Sequence, residues 1–157
     1  MMTNFAKARA LALIVPALLM MGALGSQYLG GLYPCEMCHW QRWPHDAAIV
    51  AALFAFGTRR DDAARLLVWV AGAAIFTSGA IGVFHAGVEY GWWQGLTTCA
   101  TTASAVTLEA ILNAPIIRCD TPQWTLFGIS LAGYNALISI SAALVIFTLL
   151  VRRGGRA

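Results

Sequence analysis

Charged residues are scarce in this chain. Its 157 residues include ten Lys or Arg and seven Asp or Glu, 11% in all, whereas 59% are hydrophobic. Because soluble domains have about 25% charged and about 45 to 50% apolar residues, this composition excludes an ordinary soluble domain and predicts that lipid surrounds much of the surface. The sequence also lacks coiled-coil heptads, internal repeats and the alternating segments of about 10 residues that an outer-membrane barrel requires. We therefore predict an all-α membrane protein with a single domain over residues 1–157.

Long apolar stretches are present instead. A helix needs about 20 mostly apolar residues to cross the hydrocarbon core, and the second stretch reaches this length if it begins near Glu36. Backbone polar groups cannot stay unpaired in lipid, which favours helices over loops. We predict a four-transmembrane-helix bundle with spans at residues 10–32, 36–57, 66–88 and 124–151 and a long loop at 89–123 between the last two spans.

The basic residues are distributed unevenly about these stretches. They cluster before the first, between the second and third, and after the fourth: Lys7, Arg9, Arg59, Arg60, Arg65, Arg152, Arg153 and Arg156. Short loops rich in Lys and Arg stay in the cytoplasm, so both termini are predicted to be cytoplasmic and the cysteines periplasmic in a bacterial inner membrane. The net charge of +3 then reflects topology and does not indicate nucleic-acid binding.

The N-terminus permits another interpretation. A short basic region and an apolar core precede small residues at 22–26, as in a cleavable signal peptide. Cleavage would leave three spans and an external N-terminus. The charges flanking the other spans already fit four, so we favour the uncleaved form.

The chain has four cysteines, namely Cys35, Cys38, Cys99 and Cys119. A Cys-x-x-Cys pair can form a disulfide, bind a soft metal or exchange with another disulfide. Cys99 and Cys119 are too far apart for a typical zinc knuckle, and their spacing suits a loop-closing disulfide better. We expect no metal site, although a four-cysteine metal site and inert structural disulfides are the alternatives. Between Cys99 and Cys119, residues 104–112 are predicted to form a short amphipathic helix on the membrane surface.

Arg42 follows Cys38 by four positions, so both share one face of a helix that begins near Glu36. The guanidinium could favour the Cys38 thiolate or donate hydrogen bonds to the carbonyl oxygen of a bound electron acceptor. It could equally extend to the membrane interface. Asp46 is a candidate ion-pair partner of Arg42, because an unpaired acid inside a span is costly. Pro44 between them is expected to kink the helix.

His85 is polar and lies near the outer end of the third stretch, on the same predicted side as Cys38. A histidine there could relay protons in a two-electron reduction, or could be an interfacial residue with a satisfied hydrogen bond. His39 and His45 are interpreted as interfacial residues with satisfied hydrogen bonds. Tryptophans near this side are interpreted first as an interfacial belt and second as stacking surfaces for a quinone; they are Trp40, Trp43, Trp92, Trp93 and Trp124.

These residues resemble the DsbB-type membrane thiol oxidases, which reoxidise a periplasmic thioredoxin-fold oxidase. The resemblance covers nearly the whole chain and rests on specific motifs. They are the Pro-Cys-Glu-Met-Cys motif at 34–38 followed by Gln41 and Arg42, the segment 87–93 leading to Cys99, Cys119-Asp120 before Trp124, and the segment 127–137. Gln41 stands where some members have glutamate, and the loop between Cys99 and Cys119 is shorter than in some members.

The resemblance implies a role for each cysteine. Cys35 and Cys38 would form the redox pair near the quinone, with Cys38 adjacent to it. Cys99 and Cys119 would form the pair facing the soluble partner, whose sulfur Cys99 would take in a mixed disulfide.

The resemblance also implies a quinone site. Arg42 corresponds to the essential arginine of that site, and His85 and Leu131 correspond to residues that line it. The implied acceptor is ubiquinone or menaquinone, and the implied partner is a DsbA-like thioredoxin-fold oxidase. No nucleic acid is implied. We expect a quinone-dependent oxidoreductase that generates protein disulfides; the alternatives are a structural membrane subunit with inert disulfides and a metal-binding membrane protein.

Overall fold

Four helices make up most of the protein in a computed structural model that describes residues 3–96, 100–101 and 116–152. They are α1 (Asn4–Tyr28), α2 (Glu36–Gly57), α3 (Asp61–Glu89) and α4 (Leu131–Val151). Two antiparallel strand pairs accompany them: β1 (Ala100–Thr101) with β2 (Ile116–Ile117), and β3 (Thr125–Leu126) with β4 (Ile129–Ser130). The amphipathic helix expected at 104–112 lies outside the described residues.

Three of the helices begin at residues whose side chains cap them. Thr3 accepts a hydrogen bond from the Ala6 amide at the start of α1, and Ser130 accepts one from the Gly133 amide at the start of α4. Cys35 occupies the corresponding position of α2, where its sulfur accepts from the Cys38 amide at 3.3 Å. The first turn of a helix leaves amides unpaired, so these caps determine where each helix begins. Cys35 of the Cys-x-x-Cys pair is therefore also a helix cap.

A tight hairpin precedes α4. Phe127 and Gly128 join β3 to β4 with φ of 50° and 77°, the left-handed values of a type I′ turn. Residues 125–130 are consequently not helical, and α4 begins later than the predicted 124. Apolar composition alone cannot distinguish such a hairpin from the start of a span. The first helix is also displaced from the predicted 10–32, because the Thr3 cap starts it at Asn4.

Small residues allow the helices to pack closely. α3 packs along both α2 and α4, and α1 packs against the same two helices. A methyl group added at Gly79 of α3 would lie 2.8 Å from Ile140 Cγ1, and one added at Gly82 would lie 3.0 Å from the Ala132 carbonyl oxygen. The buried core is alanine-rich and contains Ala8, Ala12, Ala48, Ala51, Ala52, Ala55, Val68, Ala71, Ile75, Ala143, Ile146 and Leu150. Small interfacial residues are typical of helix packing in membranes.

Within the described residues, α1, α3 and α4 are long and apolar enough to cross a membrane. Their surfaces expose large apolar side chains such as Leu18 and Leu137, which suits contact with lipid. The helical membrane character predicted from composition is thus confirmed. α2 has the bounds predicted for the second span and also exposes apolar side chains, including Phe54, but its polar residues keep it out of this group. A four-span topology therefore stays a prediction.

Candidate functional site

Cys35 and Cys38 are placed for disulfide chemistry at the start of α2. Their Sγ atoms are 2.7 Å apart, closer than non-bonded sulfur atoms normally pack and a little beyond the length of about 2.05 Å of a disulfide. Cys35 is buried, whereas Cys38 is partly exposed. The positive end of the helix dipole stabilises a thiolate in the first turn. The pair can therefore alternate between a disulfide and a reactive dithiol.

The two sulfurs differ in their surroundings. The hydrogen bond with Cys38, together with burial, raises the pKa of the Cys35 thiol well above its usual value. Cys35 therefore holds the proton of a reduced pair. Cys38 is the more accessible of the two cysteines.

Cys119 approaches this pair from the loop that follows β2. Its sulfur, the Cys35 sulfur and a ring nitrogen of His85 all lie within 4.8 Å of one another, and all three residues are buried. Met37, Val88 and other apolar residues surround Cys35 and Cys119. The sequence predicted no such approach, since 84 positions separate the two cysteines. This soft set of donors could also bind a thiophilic metal ion, whereas the cysteine spacing in the sequence predicts no metal site.

Cys99 lies outside the described residues, but the chain directly after it is described. Ala100 in β1 pairs with Ile117 in β2, two positions before Cys119. This pairing brings the chain after Cys99 alongside the chain that leads to Cys119. It is compatible with the implied Cys99–Cys119 disulfide, which stays a prediction.

His85 lies beneath the pair, on α3, and is 2% exposed. Its Nε2 atom is 3.5 Å from the Cys35 sulfur and 3.8 Å from Glu89 Oε1. Its Nδ1 atom is 2.8 Å from the side-chain nitrogen of Gln41 on α2. The imidazole thus bridges a redox sulfur and the polar interior of the bundle.

A buried polar network continues from Gln41 between the helices. Asn135 on α4 donates to Gln41 Oε1 at 2.8 Å and to the Ser78 carbonyl oxygen at 3.2 Å. Its own oxygen lies 2.9 Å from His45 Nε2 and accepts a hydrogen bond from Ser139 Oγ at 2.9 Å. No sequence motif predicted a site role for these residues. The sequence signal for this network is the presence of polar residues within apolar stretches, because each such residue needs a hydrogen-bond partner inside the protein.

Arg42 is directed toward α1. It donates to Gln27 Oε1 at 2.6 Å and to the Ala23 carbonyl oxygen at 3.1 Å. The expected ion pair with Asp46 is not formed between these two described residues, and Asp46 is exposed. The guanidinium is partly buried and satisfied by neutral acceptors, and no carboxylate among the described residues forms an ion pair with it.

A cavity of about 250 Å³ connects these groups. Cys35, Cys38, Arg42, His85 and Leu131 all line it, and Leu18, Leu19 and Met20 of α1 provide apolar wall. Cys119 does not line this cavity, although it reaches Cys35. The Cys35–Cys38 pair therefore has a third thiol, that of Cys119, near Cys35 and a cavity that both of its residues line.

The fold and site together define a helical membrane protein built around closely spaced cysteines. Residues 6–149 match the model of the family described as disulfide bond formation protein DsbB. The chain belongs to this family, which confirms the resemblance seen in its motifs.

Curated relatives support the same assignment. The chain is 31% identical to disulfide bond formation protein B of Paracidovorax citrulli (strain AAC00-1), over 94% of this chain and 91% of the relative. It is 32% identical to disulfide bond formation protein B of Acidovorax sp. (strain JS42), over 94% of this chain and 89% of that relative. The chain has no significant match among solved structures. Family membership indicates a membrane protein that forms disulfide bonds.

Proposed function

We propose that this protein is a quinone-linked thiol oxidase that reoxidises a periplasmic, DsbA-like thioredoxin-fold partner. Electrons pass through two cysteine pairs to ubiquinone or menaquinone. One observation carries the proposal: Cys35 has the Cys38 sulfur at 2.7 Å and the Cys119 sulfur within 4.8 Å, and Cys35 and Cys38 border the cavity described above. Thiol exchange requires such a line of sulfurs.

The topology that suits this function has four spans in the bacterial inner membrane. The basic residues place both chain termini and the loop between α2 and α3 in the cytoplasm. The cysteines then face the periplasm, where disulfides persist. The partner and the first cysteine pair meet in that compartment.

Electrons are taken up at Cys99 and Cys119. A thiolate of the reduced partner attacks the Cys99 sulfur and forms a mixed disulfide, while the Cys99–Cys119 bond breaks and Cys119 leaves as a thiolate. Cys119 then attacks Cys35, the sulfur near which the structure places it. The Cys35–Cys38 bond breaks, and Cys38 is released as a thiolate beside the cavity.

The second half of the exchange restores the first pair. The partner's other thiolate attacks the mixed disulfide, which releases the oxidised partner and frees Cys99. Cys99 attacks Cys119 and reforms the Cys99–Cys119 disulfide, while Cys35 leaves. Two electrons have then moved from the partner to Cys35 and Cys38.

The cavity fits a quinone head group by its chemistry. Its walls are mostly apolar, and both cysteines of the redox pair line it together with Arg42, whose guanidinium is held by the neutral acceptors of Gln27 and Ala23. A bound quinone accepts two electrons and two protons. Arg42 would hold a carbonyl oxygen of the head group, Leu131 would pack on the ring, and His85 would lie at the boundary with Cys35. Cys35 and Cys38 return to the disulfide as their electrons leave.

The decisive experiment mixes purified protein in detergent with a reduced thioredoxin-fold oxidase and ubiquinone or menaquinone without oxygen. Quinone absorbance and partner thiols are followed together. We expect two partner thiols to be lost for each quinone reduced, and no reaction with the Cys99→Ser variant. Partner oxidation without quinone reduction would contradict the quinone link, and no electron transfer with either quinone would favour inert disulfides.

A further inference from the structure

We infer that Gln41 is a positioning residue that sets the tautomer of His85, so that the proton of the imidazole lies on Nε2 and faces the Cys35 sulfur. This inference rests on the proposed function for its role in the reaction. The arrangement itself follows from hydrogen bonds among buried side chains of α2, α3 and α4.

The orientation of the Gln41 amide is determined by its partners. Its nitrogen lies 3.2 Å from the Met37 carbonyl oxygen, which can only accept, so the amide NH₂ group must face that side. Its oxygen lies 2.8 Å from the side-chain nitrogen of Asn135. That nitrogen is itself oriented by the Ser78 carbonyl oxygen at 3.2 Å. Reversing the Gln41 amide would bring two oxygens together at Met37 and two NH₂ groups together at Asn135.

The second N–H of the Gln41 amide therefore points at His85 Nδ1, 2.8 Å away. A protonated Nδ1 would place two donors against each other. Gln41 and His85 are 7% and 2% exposed, so solvent cannot relieve that conflict. Nδ1 must accept, and a neutral imidazole then has its proton on Nε2.

The Nε2 proton has acceptors around it. The Cys35 sulfur lies at 3.5 Å and Glu89 Oε1 at 3.8 Å. The main chain of Cys119 also interacts with the imidazole. A protonated Nε2 has no lone pair to offer a metal ion. Gln41 thus disfavours metal binding by Cys35, His85 and Cys119 and makes His85 a hydrogen-bond donor to Cys35.

This donor acts when Cys35 leaves as a thiolate. In the proposed cycle, that happens when Cys99 attacks Cys119 and breaks the Cys35–Cys119 bond. Burial makes a Cys35 thiolate costly, and sulfur leaves faster when its thiolate is stabilised. The His85 Nε2 proton provides that stabilisation without being transferred.

The direct test is ¹⁵N NMR of the full chain labelled at histidine, in detergent micelles at neutral pH. The His85 resonances are identified by their loss in the His85→Gln variant. We expect a protonated Nε2 and an unprotonated Nδ1. A protonated Nδ1, or an imidazolium, would overturn the inference. Because this measurement needs neither partner nor quinone, it can fail or succeed independently of the proposed function.

The Gln41→Glu variant tests the cause. A carboxylate can only accept, so the Nδ1 position should become protonated, either in the reversed tautomer or in an imidazolium. If the tautomer reverses, Cys35 loses a charge-assisted hydrogen bond, and its release from a trapped Cys35–Cys119 disulfide should slow by about tenfold. Gln94→Glu, the same change at an exposed position, should alter neither readout. A slower Gln41→Glu variant with an unchanged His85 tautomer would leave Gln41 a purely structural residue and contradict the inference.

Discussion

Arg42 of α2 and Gln27 of α1 are joined by a hydrogen bond of 2.6 Å at the edge of the cavity. A second bond to the Ala23 carbonyl oxygen holds the same guanidinium. Because both acceptors are neutral, Arg42 is oriented while retaining its charge, which in the proposed function serves an acceptor that becomes negative on reduction. This arrangement requires α1 and α2 to pack together.

Replacing Arg42 should therefore affect the quinone more than the protein partner. For Arg42→Gln we expect the KM for quinone to rise by about tenfold or more, since a charge-assisted hydrogen bond is lost. The KM for the reduced partner should stay within about twofold. Steady-state kinetics with each substrate varied separately measures both. An unchanged quinone KM would return Arg42 to a role at the membrane interface.

Cys38→Ser should abolish quinone reduction without preventing membrane insertion. A double variant with Cys38→Ser and Cys99→Ser retains only Cys35 and Cys119, whose sulfurs lie within 4.8 Å, so oxidation should trap a Cys35–Cys119 disulfide in it. Peptide mapping by mass spectrometry under non-reducing conditions would detect this bond. Adding Cys119→Ser to that double variant provides the control, which should lack the bond. Normal quinone turnover in Cys38→Ser would refute the assignment of Cys38.

Tyr90 connects the end of α3 to the hairpin before α4. Its hydroxyl donates to the Gly128 carbonyl oxygen at 3.0 Å and accepts from the Ser130 amide at 2.9 Å. Tyr90→Phe removes both bonds and should lower the free energy of unfolding by about 1 to 3 kcal/mol. Tyr28→Phe, at an exposed position, is the matched control. Equal melting temperatures for the two variants in detergent would show that the hairpin does not depend on Tyr90.

Gly79 should tolerate no side chain at the contact of α3 with α4. An added methyl group would lie 2.8 Å from Ile140 Cγ1 and 3.1 Å from the Ile140 amide nitrogen. Gly79→Ala should therefore destabilise the protein by about 1 to 3 kcal/mol through overpacking. A methyl group added at Gly25 meets open space. Gly25→Ala should therefore be neutral or stabilise the protein by up to about 1 kcal/mol through helix propensity. Thermal unfolding of both variants in one detergent compares them, and a stable Gly79→Ala would indicate looser helix packing.

Gln41→Glu should make the reduced protein a better metal binder. A carboxylate that accepts from Nδ1 leaves Nε2 of the neutral imidazole free to coordinate metal beside the Cys35 and Cys119 sulfurs. We expect cadmium to bind the variant about tenfold more tightly than it binds the wild type. Binding is measured by the thiolate absorption of anaerobic, reduced samples. The oxidised protein is the control, since its sulfurs are unavailable. Equal affinities would argue against the effect of Gln41 on His85.

Local composition and spacing determined a large part of this protein. The scarcity of charge indicated helices in lipid, and the Cys35 and Cys38 motif with Arg42 indicated the family that the comparisons confirm. The start of α4 was less predictable. Residues 125–130 are apolar enough to extend a span, but the left-handed Phe127 and Gly128 turn the chain into a hairpin.

Only the tertiary structure decided which distant side chains meet. Cys119 approaches Cys35, Gln41 contacts both His85 and Asn135, and Arg42 pairs with Gln27 instead of Asp46. A helical pattern shows which residues share a face of one helix, but it does not show which face of another helix lies opposite. That choice depends on how α3 fits between α2 and α4, where glycine and alanine allow close contact. The sequence by itself thus determined the reactive groups and their membrane setting, while helix packing determined their partners.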